Sequence, residues 1–334
     1  MINKQYEYDD LLVRASWYYY KSKLTQKEVG DKLNLSRQRV QRLLDEARQK
    51  GIIQVEIESP LANLLSIEEA LIKEHSLKDA VVVPSVPSEN GLRDSLGQAA
   101  ATYVERLITD SEIKVIGTGW GRTLRAFVDK FRTKHQCKEM NVVSLVGNLL
   151  KDTAVNPYII ADTLSRKLSA NCYNIWAPSI VKDENRAKIF RSEPWIKKAL
   201  EKAKSADVII VSLGPVSKQV TLYDLGYLSK EDLLSLQSLG AAGDILGQFF
   251  NEQGELVDSN LHKRVIALPF KEVQDRKRKV IVIAGGKDKL RAIKGALNGN
   301  FIDILVTDEN VAKQLAHITT DEKEVVYESN TFRS

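Results

Sequence analysis

Cysteine is nearly absent from this chain, with only Cys137 and Cys172 in 334 residues. Neither has a second Cys or a His at zinc-site spacing, and two thiols make no disulfide framework, so a reducing compartment is expected. Proline, at eight residues, and glycine, at 18, are too few for a disordered or low-complexity chain. No apolar run approaches the roughly 20 residues of a membrane-spanning helix. The opening MINKQYEYDD is polar where a signal peptide needs a basic and then an apolar stretch. A cytoplasmic protein with no membrane partner is the expectation. The four histidines, His75, His135, His262 and His317, share no motif, and no metal site, cofactor or catalytic residue is expected.

What is present is an ordinary globular composition, 43% hydrophobic and 28% charged. A chain of this length exceeds one comfortable hydrophobic core, so a small and a large domain are expected. The net charge of +5 is mild for the whole chain, but its distribution is uneven. Residues 21–50 hold nine Lys or Arg against four Asp or Glu, a local excess equal to that of the entire protein.

That basic segment has the punctuation of a helix-turn-helix. Residues 11–20, LLVRASWYYY, are apolar enough for a buried first helix, interrupted by Lys21, Ser22 and Lys23. Thr25 and Glu28 stand at capping-box spacing, which starts a second helix near Gln26. Asn34 suits the left-handed turn that ends it after Leu33, and Ser36 caps a third helix starting at Arg37. In that helix Val40, Leu43, Leu44 and Ala47 form one apolar face. The other face carries Arg37, Gln38, Gln41 and Arg42, the types that pair bidentately with guanine and adenine, in the first turns where a recognition helix reads bases. Thr25, Gln26, Ser36 and Arg39 complete the expected contacts to double-stranded DNA. Gly51 followed by the alternating stretch 52–57 predicts a helix cap and a wing-like strand. A solvated helical hairpin would share the caps but has no need of base-reading residues at those positions.

The expected boundaries are 1–58 for the all-α, winged helix-turn-helix domain, 59–78 for a connector helix and 79–334 for an α/β domain. The connector's apolar spacing, Leu61, Leu64, Leu65, Ile67, Ala70, Leu71 and Ile72, allows either dimerisation or packing on its own domain. Symmetric DNA reading favours dimerisation. Beyond Ala80, β-rich runs at 80–83, 113–116, 142–146, 208–212, 280–284 and 302–306 alternate with helical patterns. This predicts a mostly parallel, doubly wound sheet with ligands at the strands' carboxyl ends.

Three turns there carry chemistry. GTGWGRT, at 117–123, combines glycines with a helix start, an arrangement that admits an anion. It lacks the end of a Walker loop and the spacing of the dinucleotide fingerprint, and no acidic residue follows the next strand to hold a ribose. LGAAGDILG, at 239–247, sets Asp244 among small residues, where it can accept from sugar hydroxyls. AGGKDK, at 284–289, offers Lys287 and Lys289 to an anion, with nothing in the chemistry to separate them. Asp308 reads as an N-cap.

The order of WYYYKSKLTQKEVGDKLNLSRQRVQRLLDEARQKGII, IGTGWGRTL, GAAGDILGQFF, AGGKDKLRAIKGAL and ILVTDENVA resembles the SorC family of bacterial sugar-responsive regulators over nearly the whole chain. The resemblance implies an effector domain similar in fold to glucosamine-6-phosphate deaminase and ribose-5-phosphate isomerase, a homo-oligomer (dimer or tetramer), and a sugar phosphate as effector. It implies Gly117, Thr118, Gly119, Gly121, Arg122 and Thr123 as the phosphate loop and Asp244 and Lys289 as contacts to the sugar, with Gly147, Asn148 and Asn156 beside them. It also prefers Lys289 to Lys287. The expected function is a transcriptional regulator of a carbohydrate operon. The competing expectation is a sugar-phosphate isomerase or deaminase fused to a DNA-binding module, with Asp244 and Lys289 as acid and base.

Overall fold

A computed structural model of the protein describes residues 2–53, 60–132, 136–149, 155–217, 221–275 and 277–317. They divide into two compact units, Met1–Ala62 and Asn63–Ser334.

The first unit is helical. Helix α1, Ile2–Ser16, runs into a single π-turn, Trp17–Lys21, and the chain then reverses through Lys23 at φ 55°. Helix α2 spans Gln26–Leu33 and begins with the full capping box: Glu28 N–H donates to the Thr25 hydroxyl at 3.3 Å, and Thr25 N–H donates to the Glu28 carboxylate at 2.7 Å. Asn34 is left-handed at φ 56°, and Ser36 caps α3, Arg37–Gln49. Gly51 follows at φ 70°. Of the expected wing, 51–53 form a turn and bend, and 54–57 lie outside the described residues. Val40, Leu43, Leu44 and Ala47 bury against Leu12, Ala15 and Val29, the small core that fixes α3.

The second unit opens with α4, Pro60–His75. Ten strands follow among the described residues: β1 Asp79–Val83, β2 Val115–Thr118, β3 Asn141–Ser144, β4 Asn171–Tyr173, β5 Val208–Val211, β6 Gly214–Pro215, β7 Gly243–Ile245, β8 Gln248–Phe250, β9 Lys279–Ile283 and β10 Ile304–Asp308. Seven form one parallel sheet in the order β1-β10-β9-β5-β2-β3-β4, and β6, β7 and β8 form a small antiparallel one. Side chains alternate across the large sheet. Ile209, Val211, Val280 and Val282 face one core with α4, and Val208, Ile210, Ile281 and Ile283 face the other. On that second face lie α5, Glu89–Asp110, α6, Arg122–Lys130, and α7, Pro157–Leu168. Helices on both faces of a parallel sheet are the doubly wound arrangement.

Several sequence expectations shift, among them the strand expected at 302–306, which is Ile304–Asp308. The strand expected at 113–116 is 115–118, so Gly117 and Thr118 are strand residues and the turn starts at Gly119. Beside them, a Cβ at Gly117 would meet Leu145 at 2.4 Å, which makes this glycine a packing position between β2 and β3. Strand β4 and the antiparallel sheet were not expected from the pattern, because two- and three-residue strands are too short to show alternation. The connector's apolar face is used within its own unit, where Leu64, Ile67 and Leu71 are buried, and Leu65 remains 56% exposed.

Candidate functional site

The sheet order reverses between β2 and β5. From β2 the chain moves outward to β3 and β4, and β5 sits on the other side with β9, β10 and β1 beyond it. A crevice forms at the carboxyl ends of strands around such a switch point. Here it is a cavity of about 660 Å³. That is the size of a small-molecule site.

Much of the wall comes from turns that follow strands, with α5 and β7 adding the rest. After β2, Trp120, Gly121, Arg122 and Thr123 line it. Gly121, at φ 112° and ψ 166°, occupies a backbone region essentially closed to other residues and precedes α6, whose N-terminus carries no side-chain cap. First-turn amides have no partner within their own helix, so an uncapped start beside a cavity offers its N–H groups and positive dipole end to an anion. Ser212 follows β5, and Lys289 stands in the turn after β9, its ammonium donating to the Ser212 hydroxyl at 3.1 Å. From β7 comes Asp244, 3% exposed, whose carboxylate accepts from Gly247 N–H at 3.0 Å.

Asp244 and Lys289 perturb one another. Burial pushes the Asp244 carboxyl up to about 6, against a donated hydrogen bond from Gly247 and the nearby Lys289 charge, which pull it down. Burial, reinforced by the Arg93 cation, lowers the Lys289 ammonium to about 8, and Asp244 and Glu89 partly restore it. A cation and a carboxylate thus face the same space, suited to an anionic group and to hydroxyls respectively.

The expected residues are not all brought together. Gly121, Arg122, Thr123, Asp244 and Lys289 line the cavity. Gly117, Thr118, Gly119, Gly147, Asn148 and Asn156 do not. The Thr118 side chain is fully buried in β2, and Gly119 N–H bonds the Ile210 carbonyl at 2.9 Å. A Cβ on Gly147 would lie 2.5 Å from the Ala177 carbonyl oxygen, a packing constraint. Asn148 pairs through its backbone with Ala177 and Ser179, and Asn156 caps α7 by accepting from Tyr158 N–H at 3.0 Å. Lys287 also lines the cavity but is exposed, whereas Lys289 is half-buried against Ser212.

Sequence reasoning missed Arg93, Ser212 and Ser85, which line the cavity from segments distant in sequence. No local pattern marks them, because only the strand order brings the turns after β1 and β5, and the first turns of α5 that carry Arg93, beside the turn after β9. Asp308 is the expected cap, accepting from Asn310 and Val311 N–H at 3.1 and 3.2 Å, and it also lines the cavity.

In the first unit Gln26, Ser36, Arg37, Gln38, Gln41 and Arg42 line one concave surface. Gln26 donates to the Gln41 side chain at 2.5 Å, and Gln41 donates to Asp45 at 3.2 Å, which aligns the amides along α3. Arg37, Gln38, Gln41 and Arg42 are exposed. Thr25 is held in its capping box, and Arg39 sits 5.5 Å from the Tyr8 ring centre, outside that surface.

Comparison with known proteins matches both units. Residues 16–50 match sigma-70 region 4, and residues 59–317 match the sugar-binding domain family, Sugar-bind. The transcriptional regulator LsrR of Escherichia coli O157:H7 is 32% identical over 308 residues, covering 91% of this chain and 93% of LsrR. The deoxyribonucleoside regulator of Bacillus subtilis is 28% identical over 317 residues, covering 93% of this chain and 98% of its own. The full-length sorbitol operon regulator SorC of Klebsiella pneumoniae superposes with a TM-score of 0.72 at 26% identity, over 92% of this chain and 99% of SorC. The sugar-binding match spans more than half of the chain and its relatives regulate transcription from end to end, so the chain belongs to the SorC family of sugar-binding transcriptional regulators.

Proposed function

We propose that a phosphorylated sugar or sugar-like polyol occupies the cavity, with its phosphate against the start of α6 and the Lys289 ammonium and its hydroxyls toward Asp244. Occupancy then changes how the recognition helix α3 holds operator DNA. The observation that carries this is the pairing of an uncapped helix start at Gly121 with a half-buried lysine on the same cavity. An anion there meets oriented amide dipoles and a fixed cation in a partly dehydrated space, where both act more strongly than on the surface. The protein needs no cofactor for this and works as a dimer or tetramer in the cytoplasm, since a symmetric pair of recognition helices matches a two-fold operator.

The test is thermal unfolding of the full chain against sugar phosphates and their unphosphorylated parents. A ligand that binds the native state raises the melting temperature. Stabilisation by a sugar phosphate and not by its parent supports the anion site. Stabilisation by the parent sugars alone rejects the phosphate while leaving the cavity as a sugar site.

A further inference from the structure

Among the described residues, strand β1 is an edge strand that pairs only with β10. Edge strands carry unpaired N–H groups. Here the Val82 N–H donates to the Glu68 carboxylate of α4 at 2.7 Å. Glu68 lies in the middle of α4, and at its C-terminal end His75 Nε2 donates to the Leu315 carbonyl at 3.2 Å, in the last turn of the helix Glu309–Leu315. Around these anchors Leu64, Ile67 and Leu71 of α4 share one core with Ala80, Val82, Val311 and Leu315. α4 is thus fastened to two elements.

The loop just beyond β1 and the opposite end of that helix are cavity wall. Just beyond β1 lies Ser85, and the Glu309–Leu315 helix begins at Asp308. Asn310 N–H donates to the Ser85 hydroxyl at 3.1 Å. One Asp308 oxygen caps the helix, and the other accepts from Gly286 N–H at 2.7 Å, at the head of the turn that carries Lys289. A Cβ at Gly285 would stand 2.7 Å from that carboxylate, so the close approach depends on glycine. The division between the two units falls at Ala62 and Asn63, within α4.

We infer that α4 reads the occupancy of the cavity through its Glu68 and His75 anchors, with Asp308 as the joint between the Lys289 turn and both anchored elements. This rests on the cavity being the effector site. A ligand that draws Lys289 inward pulls on Gly286, and through Asp308 on the helix and the Ser85 loop. Coupling of this kind needs a chain of packed or hydrogen-bonded contacts whose equilibrium both sites bias.

Hydrogen exchange of the full chain without ligand tests it. Asp308→Asn keeps one oxygen for the helix cap and puts an amide NH2 where the second oxygen faced Gly286. The expected result is about tenfold faster exchange in residues 63–75, a loss of protection equivalent to one hydrogen bond, with α7 unchanged as internal control. Coupling is reciprocal, so Glu68→Ala must speed exchange at 285–289, and Glu68→Gln, which retains an acceptor for Val82, must restore it. Unchanged exchange at 63–75 in Asp308→Asn overturns the inference. If Asp308→Asn speeds exchange everywhere, the Glu68 pair decides: no change at 285–289 in Glu68→Ala also overturns it. No ligand enters this experiment, so a failure here leaves the effector site to be judged by the thermal panel.

Discussion

Replacing Asp244 with Asn removes a buried charge while keeping an oxygen for the Gly247 N–H. Raising a carboxyl from its ordinary 3.8 to about 6 disfavours its ionised form by about 3 kcal/mol. That figure is already net of the attraction to Lys289 and the Gly247 hydrogen bond, so the substitution relieves up to that much above pH 6. The folded value lies above the unfolded one, so the stability from protonated Asp244 is full below about pH 3.8 and lost as pH rises through about 6. The Asn variant keeps it throughout. Thermal unfolding at pH 7.5 is expected to show the variant melting several degrees higher, since about 1 kcal/mol moves a domain of this size by roughly 2–4 °C. At pH 4.5 the difference shrinks to about a third, and it vanishes only below about pH 3.8. The same variant loses an acceptor for ligand hydroxyls and gains less stabilisation from a bound sugar phosphate. A variant less stable than the parent at pH 7.5, or a difference that ignores pH, refutes the assignment of Asp244 as a desolvated carboxylate.

Other substitutions separate the two units. Arg42→Ala removes an exposed cation from the concave surface of α3 and should weaken operator binding by about 1–3 kcal/mol in a gel-shift titration, without altering the thermal response to ligand. Gly121→Ala forces a side chain into φ 112° and should cost about 1–3 kcal/mol of stability and blunt the ligand response, with operator affinity in the absence of ligand kept. An unchanged melting temperature would show that the turn relaxes freely. The Lys289 ammonium, lowered to about 8, deprotonates as pH rises past that point. Calorimetric affinity for a phosphorylated ligand should therefore fall between pH 7 and 9.5, and the fall should be absent in Lys289→Met.

Much of the fold was legible in the sequence, because its signals are local. Thr25, Asn34 and Ser36 set the helix ends in the first unit through side-chain caps and a left-handed turn, and Val40, Leu43, Leu44 and Ala47 bury as their spacing requires. The glycine-rich turn after β2 was legible as a turn before a helix but misplaced in extent. Gly117 and Thr118 continue β2, since the glycine makes room for Leu145 between adjacent strands. Asp244 and Lys289 were named by residue type and by resemblance, and the structure places both on one cavity. Arg93, Ser85 and Ser212 were not legible, because their proximity follows from which strands become neighbours. Asn148 and Asn156 were named by resemblance alone; the Asn148 backbone holds a loop, and the Asn156 side chain caps a helix start.

The central claim is that the cavity controls DNA binding, and the most direct measurement is operator affinity with and without a saturating sugar phosphate that stabilises the protein. A fivefold or larger change in Kd for the parent, absent in Lys289→Met at equal occupancy of DNA-binding sites, is predicted. Identical affinities in the presence of a ligand proven to bind would contradict it.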